Sequence, residues 1–284
     1  MDFFWHTIAL LGTLLPSILG HNLIFGKGKI LHFGPVGISI LSVYATILVL
    51  MATQSFTLAL LAGLGISLLA SLFFAWLSLR LDPDALGVMT IALHLVALSI
   101  VLNWSSLTHG ALGIPRIPRL PFLDSVFDFA LLSFGICILW ILFMWRIDRS
   151  AFGRQLAALS EHEWHAESLG IDRMKVHCSA FLIAGAGITI VNFIYPQYVM
   201  FISPNDYQFP AFVFMVMAIV AGKPGSVLGV TLSTVLLIVL KEALRFVPLA
   251  PSILGPVRLI LFGLILFGAV YWRRDVLFPQ RRSV

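Results

Sequence analysis

Charge is what this chain has least of: Asp, Glu, Lys and Arg make up 11% of its 284 residues, against roughly 25% in a soluble domain. With 60% hydrophobic residues beside it, that scarcity excludes a water-soluble globular domain and leaves a polytopic membrane protein. Cysteine is almost absent. Cys137 and Cys178 stand apart in apolar surroundings with no metal-ligand spacing, so they read as small buried hydrophobes with no redox message. No nucleophile and base pair up, no metal-ligand cluster emerges, and no ATP motif is present. The run Gly222-Lys223-Pro224-Gly225-Ser226 is not a phosphate loop, because no Gly-x-x-x-x-Gly-Lys-Ser/Thr follows a strand. Neither enzymatic chemistry nor a cofactor or metal is expected in this chain. The N-terminus, Met-Asp-Phe-Phe-Trp, lacks a basic n-region and a small-residue cleavage site, so no removable signal peptide is expected. The net charge of +5 and pI near 9.5 come from basic residues scattered between apolar runs and at the tail, without an aromatic-interleaved patch. A nucleic-acid partner is therefore not expected.

What is there is oil, in windows long enough to span. Charge-free stretches cover 30–79, 85–115, 129–145, 176–205, 207–222 and 224–240, and a crossing needs about 20 apolar residues. Taking the polar breaks as loops gives an all-α fold of about eight or nine transmembrane helices in a single domain. The spans fall near 4–25, 30–50, 55–79, 85–103, 123–145, 177–196, 210–222, 225–244 and 257–272. The seventh is too short to cross unless the bilayer thins or the segment is re-entrant. Basic residues set the orientation. Placing 146–177 in the cytoplasm puts thirteen of the eighteen Lys and Arg inside, including Lys27, Arg80 and the tail residues Arg273, Arg274, Arg281 and Arg282. Arg116, Arg119, Lys241, Arg245 and Arg258 then lie outside. The expectation is a cytoplasmic C-terminus and an outside N-terminus.

The longest polar interruption lies between Trp145 and Cys178 and holds five of the eighteen basic residues, five of the thirteen acids and three of the eight His. Phe152, Leu156, Leu159, Ala166 and Leu169 recur at helical spacing, predicting one amphipathic helix over 152–169 that Gly170 stops. Trp164 lies off that stripe, free to act as a knob for a partner. On spacing alone the stretch reads equally well as a plain solvated loop.

The order Ser150, Gly153, Arg154, Ala158, Glu161, Glu163, Ala166, Glu167, Leu169, Gly170, Ile171 and Lys175 resembles the cytoplasmic loop of LivM-type permease subunits of branched-chain amino-acid ABC importers. Ser160 stands where that family has Arg, and His165 where it has Ala. The resemblance extends to Asn22, Leu23, Gly26, Gly34, Tyr44 and Ala45, to Leu79-Arg80-Leu81, to Thr108 through Ile114, and to Ile202-Ser203-Pro204. It implies a permease that moves branched-chain or related amino acids, with urea or short amides as alternative solutes. Its implied partners are a second, homologous permease, two ATPase subunits that carry ATP and Mg, an extracytoplasmic binding protein and the lipid of a prokaryotic inner membrane. It assigns ATPase coupling to Gly153, Arg154, Leu159, Glu161, Glu163, Trp164, Ala166 and Gly170. Asn22, Gly34, Tyr44 and His94 fall on the substrate path, and Thr108, Gly110, Arg116, Ser203 and Asp206 on a docking face for the binding protein. Arg119 is offered to the same partner, although a passive connector would carry the same turn residues.

Glycine and proline in 26–37 and 222–226 allow either tight helix packing or broken helices at a substrate site. Polar residues at membrane depth are His21, Asn22, Gln54, His94, Asn103, Asp128, Asn192 and Gln197. Asp128 and His94 are the two whose burial would be costliest. Against that, Asp128 lies one turn from Asp124 and can reach water, and His94 can donate to a neighbouring carbonyl. An ion-coupled secondary transporter is the reading from a different class, and it would need buried coupling acids. A membrane scaffold is a third.

Overall fold

In hydrocarbon a chain must pair its own backbone groups, which a helix does within one segment. The computed structural model, which describes residues 2–246 and 251–272, is accordingly a bundle of helices with one two-residue β pairing among the described residues. The helices are α1 (Asp2–His21), running on into a π-helical turn (Asn22–Lys27), α2 (Pro35–Thr53), α3 (Phe56–Arg80), α4 (Pro83–Asn103), the short α5 (Ser105–Thr108) and α6 (Val126–Arg149). They continue as α7 (Ala151–Glu161), α8 (Glu163–Ser168), α9 (Arg173–Val199), α10 (Phe209–Ala221), α11 (Val227–Ala243) and α12 (Pro251–Trp272). Local chemistry fixes their starts. Ser55, Ser150, Asp172 and Ser226 each accept a hydrogen bond from a first-turn N–H of α3, α7, α9 and α11. Ser125 and Asp128 form a reciprocal capping box on α6. Pro35 and Pro83 occupy first-turn positions where no backbone donor is needed.

Among the described residues, seven helices are long and apolar enough to cross a membrane, and α10, at 13 residues, is shorter. α1 is the central post: it packs on α6, α9 and α11, and 78% of its most apolar window is buried, against 28% for α6. Small residues let backbones meet there. A side chain added at Gly20 would lie 2.9 Å from the Ala184 backbone of α9, and one at Gly187 would lie 2.6 Å from the Pro16 carbonyl of α1. The outer faces of α3, α4, α6 and α11 expose Leu69, Val88, Leu139 and Leu232, as a lipid-facing surface requires.

Three sequence expectations need correction. The span placed at 30–50 begins at Pro35, because residues 28–34 run non-helically alongside Phe74 and Thr90 before Pro35 can nucleate α2. The helix expected over 152–169 is two helices, broken at His162, which is extended at φ −148° and ψ 92°. The break lets α7 bury Leu156 and Leu159 and α8 bury Ala166, while Leu169 is 82% exposed instead of continuing the stripe. Gln54 is not at membrane depth but exposed at the C-terminal cap of α2. Asp128, read from sequence as able to reach water at the outer end of its span, does so: it is the capping-box partner of Ser125 at the exposed start of α6. The tail residues Arg273, Arg274, Arg281 and Arg282 lie outside the described residues.

Candidate functional site

Two interrupted stretches meet at one end of the bundle. The π-helical turn after α1 places Asn22, 2% exposed, so that its Oδ1 accepts the Gly225 N–H at 2.9 Å across 203 residues of sequence. Gly26 is indispensable there, since a Cβ would run into both the Asn22 side chain and the Gly225 nitrogen. Lys27, which ends the turn, is tied to Asp148 at the end of α6 by an ion pair and a 2.7 Å bond to the Asp148 carbonyl. A polar chain of contacts thus runs from α6 through α1 to the break between α10 and α11. Glycine and proline content identified both breaks; that they touch was not visible in sequence.

The α7–α8 element lies beside this junction. Gly153 is buried against the end of α6, where an added Cβ would sit 2.5 Å from the Asp148 carbonyl oxygen. Ser150 accepts the Gly153 N–H at 3.2 Å, and Arg154 donates to the Arg149 carbonyl at 3.0 Å. Leu159 and Ala166 are buried supports, whereas Arg154, Glu161 and Trp164 face solvent, Trp164 at 84% exposure. Glu163 pairs with Arg173 at 2.5 Å, which fastens α8 to α9. Asp172 caps α9, and the Lys175 N–H holds its carboxyl below the usual carboxylate range. Gly170, at φ +85°, makes the turn between α8 and α9 with nothing within 4 Å of a built Cβ. The eight residues assigned to coupling therefore form one surface element: Gly153, Leu159, Glu163 and Ala166 hold it in place, and the other four lie at its face or turn.

At the opposite end, β1 (Ile114–Pro115) pairs antiparallel with β2 (Phe201–Ile202) and draws the 104–125 and 200–208 loops together. Arg116 and Asp206 are exposed on this cap, but Thr108, Gly110 and Ser203 are buried in it. Thr108 Oγ1 donates to the Val101 and Trp104 carbonyls at 2.6 and 2.8 Å, and Ser203 accepts the Asn205 N–H, so both are turn-makers. Arg119, expected to face a partner, turns inward instead. Its guanidinium donates to the Gln197 and Tyr198 carbonyls and lies 5.3 Å from the Phe129 ring centroid. Leu112, 84% exposed, and Phe122, 65% exposed, are apolar residues of this cap that the sequence reading passed over. Desolvation raises the Asp206 carboxyl above its ordinary range, opposed by the Ser203 backbone and by Lys241.

The four path residues do not converge on one pocket. Gly34 packs on Phe74 at the start of α2, His94 lies against Gly37 on the α4 side, and Tyr44 is higher on α2 in a cluster with Tyr207. His94 is 3% exposed, and neither of its nitrogens meets a protein partner, so the expected donation to a carbonyl is not made. Asn192 instead carries the paired polar contact at depth, accepting from Ser39 Oγ at 2.8 Å and donating to the Ser39 carbonyl at 2.9 Å.

A bundle with seven helices long and apolar enough to cross a membrane among the described residues, and one folded, exposed loop element, has the architecture of a polytopic membrane protein. The model of the family described as branched-chain amino acid transport system / permease component matches residues 7–270, and the chain belongs to that family. It is 25% identical over 294 residues to the high-affinity branched-chain amino acid transport system permease protein LivM of Salmonella typhimurium, a match covering 93% of this chain and 67% of that protein. Against LivM of Escherichia coli the identity is 24% over the same shares. No solved structure matches the chain. The chain is thus a transport subunit rather than an enzyme.

Proposed function

We propose that this chain is one permease subunit of an ATP-driven importer of branched-chain or related amino acids, working with a second permease, two ATPase subunits and an extracytoplasmic binding protein. The observation that carries the proposal is the α7–α8 element: a rigidly supported, exposed surface in contact with the junction of both interrupted stretches. ATP and Mg belong to the ATPases, and this chain supplies no cofactor site. ATP-driven closure of the ATPases pushes on Trp164 and its neighbours. The displacement passes through Gly153 and Asp148 to Lys27, and from Asn22 to Gly225, where α10 and α11 join. The excess of basic residues at the α7–α8 end supports placing it in the cytoplasm of a prokaryote's inner membrane, with the N-terminus and the Arg116 and Asp206 cap outside.

Two measurements test the reading. Gentle purification from the native membrane should recover two ATPase chains and a similar permease, and the reconstituted complex should take up labelled leucine only with ATP and the binding protein. Recovery of the chain alone would overturn the assembly. Uptake of urea but not leucine by the intact complex would overturn the solute assignment while leaving the assembly standing. Single cysteines at Trp164 and Arg116, labelled from one side of sealed vesicles, read the orientation.

A further inference from the structure

Where α2 begins inside the bundle, three polar side chains line one small cavity. His21 from α1, His32 from the 28–34 link and Ser71 from α3 are each 1% exposed. All four imidazole nitrogens and the Ser71 hydroxyl lack a hydrogen-bond partner among the described residues. The two imidazoles lie edge to face, 6.0 Å apart, with His32 set between Phe74 and Phe181 and His21 stacked on Phe25. The remaining walls are apolar, and the cavity leaves ≈ 10 Å³ in which the centre of a water-sized sphere can sit.

Buried polar groups without partners are rare, and three facing one cavity call for a common occupant. The space is about that of a single water, which needs two to four polar partners. Each neutral imidazole can turn one nitrogen, as donor or as acceptor, toward a shared water, and a serine hydroxyl can do either, so these three groups supply three of the two to four contacts that a buried water makes. A cation fits poorly, because the lining holds no carboxylate to offset the loss of its hydration.

We propose that His21, His32 and Ser71 bind one internal water, and that this water latches the 28–34 link to α1 and α3. Besides the packing of the His32 ring on Phe74 and Phe181, the link has few hydrogen bonds to its surroundings near His32, whose own N–H donates within the link to the Ile30 carbonyl at 2.8 Å. The Phe33 N–H donates to Thr90 Oγ1 at 2.9 Å and the Ile30 N–H to the Ile24 carbonyl at 3.2 Å. The water-mediated contact therefore fixes the middle of a non-helical segment that must stay paired at membrane depth.

The test uses the chain in lipid nanodiscs with whatever subunits copurify, and no readout depends on transport. A density map that resolves other internal waters should show a peak within hydrogen-bonding distance of His21, His32 and Ser71. His32→Phe keeps a ring between Phe74 and Phe181 but removes both nitrogens. It should abolish the peak and speed amide exchange of residues 29–34 about tenfold, with helix content unchanged. Ser71→Ala, a smaller change, should speed the same amides at least threefold. An empty cavity in such a map would overturn the site. A peak with exchange unchanged within twofold in both variants would overturn the latch.

Discussion

Gly153→Ala is the sharpest test of how the loop element is held. The new Cβ would run into the Ile147 carbonyl oxygen and lie 2.5 Å from the Asp148 carbonyl oxygen, where ordinary contact begins at 3.4 Å. Both neighbours are backbone at the end of α6, so relief requires α7 to move by about 1 Å. That movement is resisted because Leu156 and Leu159, at 0% and 7% exposure, anchor α7 in the core. Overpacking of this kind costs roughly 1–3 kcal/mol, and a shift of that size in a coupling equilibrium is about fivefold to 150-fold. ATP-driven uptake should therefore fall at least about fivefold, while the amount of protein in the membrane and the recovery of the partner permease stay within about twofold of wild type. Gly170 is the control. Its φ of +85° disfavours a side chain, yet nothing lies within 4 Å of a Cβ there. Gly170→Ala should therefore cost about 1–2 kcal/mol locally, and Gly170→Asn, which tolerates the left-handed region, should approach wild-type uptake. Wild-type uptake by Gly153→Ala, or a larger loss at Gly170 than at Gly153, would refute the reasoning.

Asn22→Leu removes the acceptor of the Gly225 N–H and should cost about 1–3 kcal/mol; faster amide exchange at 222–226 with reduced uptake is the expected result, and unchanged exchange would show the tie to be idle. Trp164→Ala removes an 84% exposed side chain, so thermal stability should move by less than about 0.5 kcal/mol while recovery of the ATPases drops about tenfold or more. Equal recovery would move the docking surface elsewhere. The Asp206 carboxyl is raised by desolvation from an ordinary value of 3.8, so its penalty is absent below that pH and grows as pH rises through the shifted value. Asp206→Asn should therefore gain stability relative to wild type across that window and hold a constant gain above it; parallel melting curves over the whole range would contradict the shift.

Hydropathy made the helices legible because a span needs only length and the absence of charge, and both are written directly in the sequence. Their ends were legible where a side chain announces the cap. Ser125 three residues before Asp128 was such a signal, and it assigns that acid to the start of α6 more directly than its depth did. The start of α2 was misplaced because Ile30, Leu31 and Phe33 are as apolar as any helical residues. Pro35 at the first turn, behind Gly34, was the better marker. The break at His162 had no such marker. It arises in the packed structure, where Leu156 and Leu159 of α7 and Ala166 of α8 enter the same core cluster while Leu169 faces solvent, a tertiary demand that the spacing of Leu159, Ala166 and Leu169 does not record.

The candidate site divides along the same line. Glycine and proline in 26–37 and 222–226 reveal where a helix cannot continue, but which of the two readings holds depends on what the freed backbone meets. At Gly26 it meets Asn22 and Gly225, so a single glycine serves both close packing and the joining of two broken segments. Buried polar residues show the converse. Asn192 and Gln197 are satisfied at depth by Ser39 and by the Leu120 N–H, partners 153 and 77 residues away. The side-chain polar atoms of His21, His32, His94 and Ser71 have no hydrogen-bond partner among the described residues. Sequence finds such residues by their rarity in an apolar span, but only the packed bundle separates those that hold it together from those left for water or solute.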